Sequence, residues 1–276
     1  MDGGIRDTAG SLEGTPLVAV WLGRVPYRDG WALQKRLVDL RAGGSIPDHL
    51  LLLEHDPVLT LGRQADAAHI LVSPRELRRR GIEAIRVERG GEVTYHGPGQ
   101  LVAYPILRLG DRGILLRPLV RALEDAMIQT AAALGVSAVR RDGHPGSWIL
   151  DALAHRPPRK IGALGIRVER GVSYHGIALN VNPDLRDFAL IDPCGMPGVV
   201  STSIAEELGR SAEPPSTDAV RRAGEFFGSA FGRAIGASMT TLGSEALETS
   251  LAEAALAEPA GAEADATDRP MAAGIA

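Results

Sequence analysis

The sequence predicts a mixed α/β (α+β) fold in a single domain, with a mixed β-sheet flanked by helices. Short apolar runs typical of buried strands alternate with segments whose apolar residues recur at helical spacing. No stretch inside residues 15–240 has the composition of a linker, so we expect these residues to form a single domain. With 45% hydrophobic and 23% charged residues, the chain has an ordinary globular composition.

The elements follow one another in a regular order along this domain. Apolar runs predict strands at Leu17–Leu22, Leu50–Glu54, Ile85–Glu88, Leu101–Leu109, Ala138–Arg141, Ser147–Leu150, Ile161–Val168 and Val172–Val181. Amphipathic spacing predicts helices near Trp31–Arg41, over about Leu115–Leu134 and over roughly Asp218–Ala234. Because helices separate many of the strands, the mixed α/β class follows.

Two further short helices are predicted from capping patterns. Ser73 can cap a helix, Pro74 suits its first turn, and Glu76 completes a capping box. Gly81 is placed to end this helix. The same spacing of hydroxyl and acidic residues in Thr202–Glu206 predicts a second such helix.

The two ends of the chain differ from the domain in composition. Residues 1–14 are predicted to be a flexible N-terminus, and residues 241–276 an acidic, Ala- and Glu-rich tail that is largely disordered. Residues 244–276 hold seven acidic residues and one arginine, so the net charge of −4 leaves residues 1–243 near +2. A mildly basic body suits acidic partners, but it is far from the charge expected of a nucleic-acid-binding protein.

The chain has one cysteine, which excludes an internal disulfide and is typical of a reducing compartment. Its N-terminal residues lack a basic stretch followed by an apolar run, so we expect no secretory signal. No apolar run is long enough to predict a membrane helix. We therefore expect a cytoplasmic protein without a membrane partner.

That cysteine, Cys194, lies between Pro193 and Gly195 rather than inside an apolar run. A cysteine that only packs behaves as a small hydrophobic residue. Here proline restricts the backbone on one side and glycine removes side-chain bulk on the other. The pattern predicts a sulfur held on a bend that a substrate can approach, although an incidental loop cysteine would share it.

Lys160 is one of only two lysines, against 28 arginines. It opens the apolar stretch 160–168, so its amine is expected at the buried end of a strand, where desolvation lowers a lysine pKa. Near Cys194 it would also stabilise the thiolate. The alternative is a lysine at the solvent-facing edge of this strand.

Residues 89–100 hold four glycines, which let a backbone approach a ligand closely and present N–H groups to it. The pattern V-[ST]-Y-H-G occurs there at 93–97 and again at 172–176. We interpret this repeat as two similar strand entries that frame one cleft. A hairpin loop that needs positive φ would also explain the glycines.

His96, His175 and Cys194 could together form a catalytic zinc site. The three residues are scattered along the chain without the short spacing of metal motifs. We therefore predict neither a metal nor another cofactor.

Four motifs in one order resemble those of the lipoyl(octanoyl) transferases: R-G-G-E-V-T-Y-H-G-P-G-Q at 89–100, K-I-G-A-L-G-I-R-V at 160–168, Y-H-G-I-A-L-N-V at 174–181, and P-C-G followed by T-S at 193–203. The resemblance covers about residues 15–235. It implies the fold of the catalytic domain shared by lipoate- and biotin-protein ligases.

The resemblance also implies an activity. Such enzymes move an octanoyl (or lipoyl) group from acyl carrier protein to a lysine of the lipoyl domains of 2-oxoacid dehydrogenase complexes, or of the glycine-cleavage H protein. Cys194 would be the acyl-thioester nucleophile and Lys160 its partner, with His96 and His175 supporting the oxyanion or the acyl group. The implied acyl-site residues are Arg89, Gly90, Gly91, Glu92, Val93, Thr94, Tyr95, His96, Ala163, Leu164, Gly165, Gly176, Ile177 and Ala178. We expect a monomer.

Three other functions remain open at this point. An ATP-dependent lipoate-protein ligase would share the fold but would not use a nucleophilic cysteine. A cysteine hydrolase would release free octanoate, with His96 or His175 as the base. A binding module for lipoyl domains would show no turnover.

Overall fold

The computed structural model describes residues 14–150, 156–192, 199–210 and 213–257. The strands of this part are β1 Thr15–Val25, β2 Asp48–His55, β3 Val58–Leu61, β4 Glu83–Arg86, β5 Val93–His96, β6 Gln100–Ile106, β7 Val139–Arg141, β8 His144–Ile149, β9 Arg159–Glu169, β10 Val172–Asn180, β11 Val200–Ser201 and β12 Ala237–Leu242. Its α-helices are α1 Tyr27–Gly43, α2 Pro74–Arg79, α3 Leu116–Ala133, α4 Ile204–Glu207, α5 Thr217–Ala234 and α6 Ser244–Ala257.

A large mixed sheet forms the centre of the molecule. Its strands run in the order β12-β1-β2-β6-β10-β9-β8-β7, and β11 adds to β9 outside this path. β1 pairs in parallel with β2 and β12, and β11 pairs in parallel with β9. The pairs β2–β6, β6–β10, β10–β9 and β9–β8 are antiparallel. The predicted mixed sheet is confirmed.

A second, smaller sheet was not foreseen. β3 pairs in parallel with β4 and antiparallel with β5, so the glycine-rich segment 89–100 contains a strand rather than a continuous loop. This sheet has its own apolar core, which includes Leu59, Leu61 and Tyr95. The short length of β3 and β5 explains why no apolar run marked them.

Helices cover both faces of the large sheet. On one face, α3 and α5 bury residues such as Leu123, Met127 and Phe227 against the strands. On the other face, α1 and α6 bury Leu37 and Leu251 in a second apolar cluster. No helix among the described residues is long and apolar enough to cross a membrane.

Both predicted caps are confirmed. The Ser73 side chain accepts a hydrogen bond from the Glu76 N–H at 3.2 Å, and the helix starts at Pro74. The Ser203 side chain accepts from the Glu206 N–H at 3.1 Å and begins α4.

Regular structure continues past residue 240, where we expected the domain to end. β12 pairs with β1 and reaches residue 242, and α6 follows within the segment that we assigned to the tail. Leu247 and Leu251 of α6 are fully buried in the core, because their spacing of four residues places both on one face of the helix. Three acidic residues of this segment, Glu245, Glu248 and Glu253, lie on a helix that the average composition concealed. Residues 258–276 lie outside the described part.

Candidate active site

A cleft lies between the large sheet and the small sheet. β9 and β10 contribute one wall, and β5 with the preceding glycine-rich turn contributes the other. Tyr27 at the start of α1 and Tyr104 of β6 also line it. The cleft encloses about 790 Å³, a volume that includes open solvent at its mouth.

Most of the predicted acyl-site residues line this cleft. Of the fourteen, twelve do so: Arg89, Gly91, Glu92, Val93, Thr94, His96, Ala163, Leu164, Gly165, Gly176, Ile177 and Ala178. Lys160 and His175 line it as well. The two V-[ST]-Y-H-G segments therefore face one cleft, as expected.

Gly90 and Tyr95 do not line the cleft. The Gly90 N–H donates to the Ile166 carbonyl at 3.2 Å and joins the turn to β9. Tyr95 packs in the core of the small sheet, and its hydroxyl donates to Asp187 at 2.8 Å. Neighbouring side chains of a strand point to opposite faces, so Tyr95 is directed away from the cleft that His96 lines.

Several residues of the cleft carried no recognised signal in the sequence. They are Tyr27, Gln100, Tyr104, Gly162, Asn180, Phe188 and Ser201. Gln100 and Asn180 are directly opposite each other on β6 and β10. Gln100 ends the first motif and Asn180 lies in the third, so the motifs themselves were the available signal.

The glycines of the cleft allow its two walls to meet. A Cβ atom on Gly165 of β9 would lie 2.8 Å from the carbonyl oxygen of Gly90. That separation is shorter than any ordinary contact, so a larger residue would push the glycine-rich turn off β9.

Lys160 is buried at the start of β9, with 8% of its surface exposed. Its ammonium nitrogen lies 5.3 Å from the centre of the Trp148 ring. A Cβ atom on Gly146 would lie 3.2 Å from the Lys160 Cε, so glycine leaves room for the lysine stem. The expected position at the buried end of a strand is confirmed, and the solvent-facing alternative is wrong.

Cys194 lies outside the described residues, which end at Asp192 and resume at Val199. The Asp192 N–H donates to the His69 carbonyl at 2.9 Å before this gap. After the gap, Ser201 pairs with Lys160. Phe188 and Ser201 both line the cleft, so the segment that carries Cys194 is flanked on both sides by residues of the cleft.

Three buried histidines beside the cleft are neutral. Burial, together with the neighbouring His55, lowers the pKa of His96 to about 3. Burial also lowers the pKa of His175 to about 3 and that of His55 to about 4. These rings therefore carry no charge at neutral pH.

Hydrogen bonds orient two of these rings. His55 Nδ1 donates to the Val25 carbonyl at 2.7 Å, so its Nε2 accepts from the Tyr104 hydroxyl at 2.7 Å. His96 Nδ1 lies 2.7 Å from the Gln100 side-chain oxygen. Tyr27 stacks on the His96 ring at 6.0 Å between centroids.

His175 has an unusual backbone. Its φ is +55°, in the left-handed region that residues other than glycine seldom adopt. The Gln34 side chain accepts its N–H at 2.8 Å and holds this conformation. His175 Nε2 is buried without a hydrogen-bond partner among the described residues.

Arg89 fixes the glycine-rich turn to the small sheet. It is buried, and its guanidinium donates to the carbonyl and the hydroxyl of Thr60 at 2.7 and 2.8 Å. It also donates to the Gly90 carbonyl at 3.0 Å. The glycine-rich turn is therefore held between the two sheets, by Arg89 to β3 and by the Gly90 N–H to β9.

Known proteins share this architecture. The lipoate protein ligase of a bipartite system from Thermoplasma acidophilum superposes with a TM-score of 0.60, at 16% identity, over 87% of this chain and 91% of that one. The structure of LipL1 from P. falciparum in complex with lipoate gives a TM-score of 0.58 at 12% identity, over 87% of this chain and 70% of that one. At such identities the likeness shows the fold, and it confirms the expected lipoate-ligase catalytic fold.

The sequence comparison is more specific. An octanoyltransferase from Chloroflexus aggregans is 44% identical over 207 residues, which are 75% of this chain and 90% of that protein. One from Acidobacterium capsulatum is 46% identical over 223 residues, or 78% of this chain and 89% of that protein. The family model of the lipoyl protein ligase A/B catalytic domain matches residues 26–224. The chain therefore belongs to the octanoyltransferases of the lipoyl protein ligase A/B catalytic-domain family.

Proposed function

We propose that this octanoyltransferase carries the octanoyl group from acyl carrier protein to a lysine of a lipoyl domain as a thioester of Cys194. The observation that carries the proposal is the position of Lys160. It is buried in the wall of the cleft and pairs with Ser201, seven residues beyond Cys194. A cysteine near a lysine has the microenvironment of a reactive thiol.

In the first step the Cys194 thiolate attacks the carbonyl carbon of the donor thioester. A new C–S bond forms, and the bond to the sulfur of the donor's phosphopantetheine arm breaks. The Lys160 ammonium gives its proton to that leaving sulfur and becomes a neutral amine. One thioester replaces another, so the covalent intermediate costs little energy.

In the second step the amine of the acceptor lysine attacks the Cys194 thioester. The C–N bond forms, the C–S bond breaks, and the electron pair stays on the cysteine sulfur. Neutral Lys160 takes one proton from the amine, which restores the thiolate and the ammonium. Arginine could not perform this cycle, because it does not lose its proton at working pH.

The cleft supplies an apolar surface for the acyl chain. The cleft is lined by Ala163 and Leu164 of β9, by Ile177 and Ala178 of β10, and by Val93 of β5. Backbone N–H groups of the glycine-rich wall are candidates for binding the oxyanion of each tetrahedral intermediate. We assign no metal and no nucleotide to this reaction.

The acceptors that we propose are lipoyl domains of 2-oxoacid dehydrogenase complexes and the glycine-cleavage H protein. The mildly basic body of the chain favours acidic partners such as these and acyl carrier protein. We propose that the enzyme works as a monomer in the cytoplasm, where a lone cysteine stays reduced.

The test is a mass measurement of the whole protein after incubation with octanoyl-acyl carrier protein and without ATP. We expect a single octanoyl adduct on the wild type, no adduct on Cys194→Ala, and transfer of the adduct to an added lipoyl domain. An enzyme that modifies the lipoyl domain only when ATP is present would be a ligase, and the proposal would fail. Free octanoate as the main product, with lipoyl domain in excess, would instead identify a hydrolase.

Lys160→Arg is the matched variant for the second catalytic residue. It keeps the positive charge but loses the proton exchange, so we expect transfer to fall by roughly 10² or more. The control is Lys35→Arg, since Lys35 lies on α1 against Trp31. Near-normal transfer by Lys160→Arg would show that charge alone is sufficient.

A further inference from the structure

The amide network behind His96 decides which ring nitrogen carries the proton. The Gln100 amide nitrogen donates to the Tyr95 carbonyl at 3.2 Å and to the Asn180 side-chain oxygen at 2.9 Å. Both protons of that nitrogen are then in use, and the oxygen of Gln100 is left facing His96 Nδ1 at 2.7 Å. An oxygen can only accept here, so Nδ1 must carry the proton.

A second amide confirms the orientation of the first. The Asn180 side-chain nitrogen donates to the Thr202 carbonyl at 2.8 Å, so its oxygen must face Gln100. The Thr202 N–H in turn donates to the Lys160 carbonyl at 2.9 Å. Backbone carbonyls at both ends thus set the direction of the whole chain of hydrogen bonds, which links His96 to the strand of Lys160.

His96 Nε2 is consequently an unprotonated acceptor in the wall of the cleft. It has no hydrogen-bond partner among the described residues, while the ring is stacked on Tyr27 and flanked by His55. Arg89 and His175 also disfavour a charged ring. This side chain therefore cannot donate a hydrogen bond to an oxyanion, which was one of the roles expected for it.

A lone pair at this point needs a donor from the ligand. The octanoyl chain and the thioester carbonyl have no N–H or O–H group. The attacking amine of the acceptor lysine has two N–H bonds, one of which survives in the amide product. That surviving N–H has the right chemistry for Nε2, because it requires an acceptor throughout the step.

We propose that His96 Nε2 accepts a hydrogen bond from the amine of the acceptor lysine and so directs its lone pair at the Cys194 thioester, with Gln100 and Asn180 as positioning residues. This proposal rests on the proposed function and adds a role in its second step. His96 takes no proton; one proton of the amine passes to Lys160, and the other stays on nitrogen and points at His96. The C–N bond forms and the C–S bond breaks as before.

The experiment separates the two steps by rapid mixing and measurement of the intact mass. Acyl-enzyme formation is followed with octanoyl-acyl carrier protein alone, and transfer is followed by adding lipoyl domain to preformed octanoyl-enzyme. His96→Asn keeps a donor for Gln100 but has no atom at the position of Nε2. We expect the rate of transfer to fall by roughly 10²-fold, because the attacking amine is no longer held in position. The rate of acyl-enzyme formation should change by less than about threefold.

His96→Gln is the matched variant, because its amide oxygen can reach the position of Nε2. We expect it to recover at least about a tenth of the transfer rate. Equal losses in both steps would overturn the proposal, since they would place the hydrogen bond on the donor's prosthetic arm or make His96 merely structural. Normal transfer by His96→Asn would overturn it as well.

One measurement requires no substitution at the site. Nitrogen-15 spectra of the histidine rings in the wild-type enzyme should show His96 with its proton on Nδ1 at neutral pH, and a proton on Nε2 would overturn the proposal. This result does not depend on catalysis. If no octanoyl adduct forms on Cys194 at all, the proposed function fails, while the spectra still report which nitrogen of the His96 ring carries the proton.

Discussion

The same five-residue pattern, V-[ST]-Y-H-G, occurs in two places and folds in two different ways. In β5, His96 has an ordinary strand backbone, and its Nδ1 is bonded to Gln100. In β10, His175 has a φ of +55° and a buried Nε2 without a partner among the described residues. The local sequence is shared, so the surroundings of each strand must determine the difference.

The glycines that end the two patterns show what those surroundings are. A Cβ on Gly97 would lie 2.2 Å from the hydroxyl oxygen of Tyr95, which is a side chain. A Cβ on Gly176 would lie 2.0 Å from the carbonyl oxygen of Ala103, which is the backbone of β6. Gly97 is therefore confined by the side chain of Tyr95, whereas Gly176 is confined by the backbone of the neighbouring strand β6.

The largest expected effect follows from this contrast. Gly176→Ala must force β10 away from β6, so we expect it to lower the free energy of unfolding by about 3 kcal/mol, against about 1 kcal/mol for Gly97→Ala. Urea unfolding of both variants measures the difference. Equal losses, or a Gly176→Ala protein as stable as the wild type, would contradict the contrast.

The second effect concerns what the two histidines have in common. Both are neutral in the fold, with pKa values lowered to about 3, whereas in the unfolded chain they titrate near 6.5. Above pH 6.5 their contribution to stability is fully present. Below pH 6.5 the unfolded state binds more protons than the folded state, so the free energy of unfolding falls as the pH is lowered towards 4. Each histidine contributes up to about 1.4 kcal/mol per pH unit to this loss.

His96→Gln and His175→Asn should each make this decline shallower by a similar amount between pH 6 and 4.5. Unfolding free energies at four or five pH values measure the slope. A slope that stays at the wild-type value in either variant would show that the ring concerned is charged in the folded protein.

The smallest effect has opposite signs at the two positions. Starting from alanine, glycine at 175 should raise stability by about 1 kcal/mol, because it relieves the left-handed backbone. Glycine at 96 should lower stability by about 0.5–1 kcal/mol, because at this position it only increases the conformational entropy of the unfolded chain. Four thermal unfolding curves, one for each alanine and glycine variant, decide the matter, and the same sign at both positions would refute the strain at His175.

The residues whose positions the sequence predicted well are those controlled by local rules. Ser73 caps a helix because of its spacing to Glu76, and Lys160 is buried because an apolar strand begins at it. The error at Tyr95 was also a local one. Strand alternation directs Tyr95 away from the cleft, and the continuous motif obscured this alternation.

The residues that escaped prediction depend on pairing between distant strands. Gln100 and Asn180 become partners only through the register of β6 and β10, which one sequence does not specify. Helix α6 escaped because its composition is that of a disordered acidic tail, and only Leu247 and Leu251 indicated a buried face.

The pairing of β1 with β12 has a consequence for how the protein is made. β1 starts at residue 15, and one of its two neighbours in the sheet is not synthesised until residues 237–242. Joining strands so far apart in the chain requires a long loop to close, which slows folding. A growing polypeptide therefore leaves the ribosome with one border of β1 still open, and that border closes only when residues 237–242 have emerged.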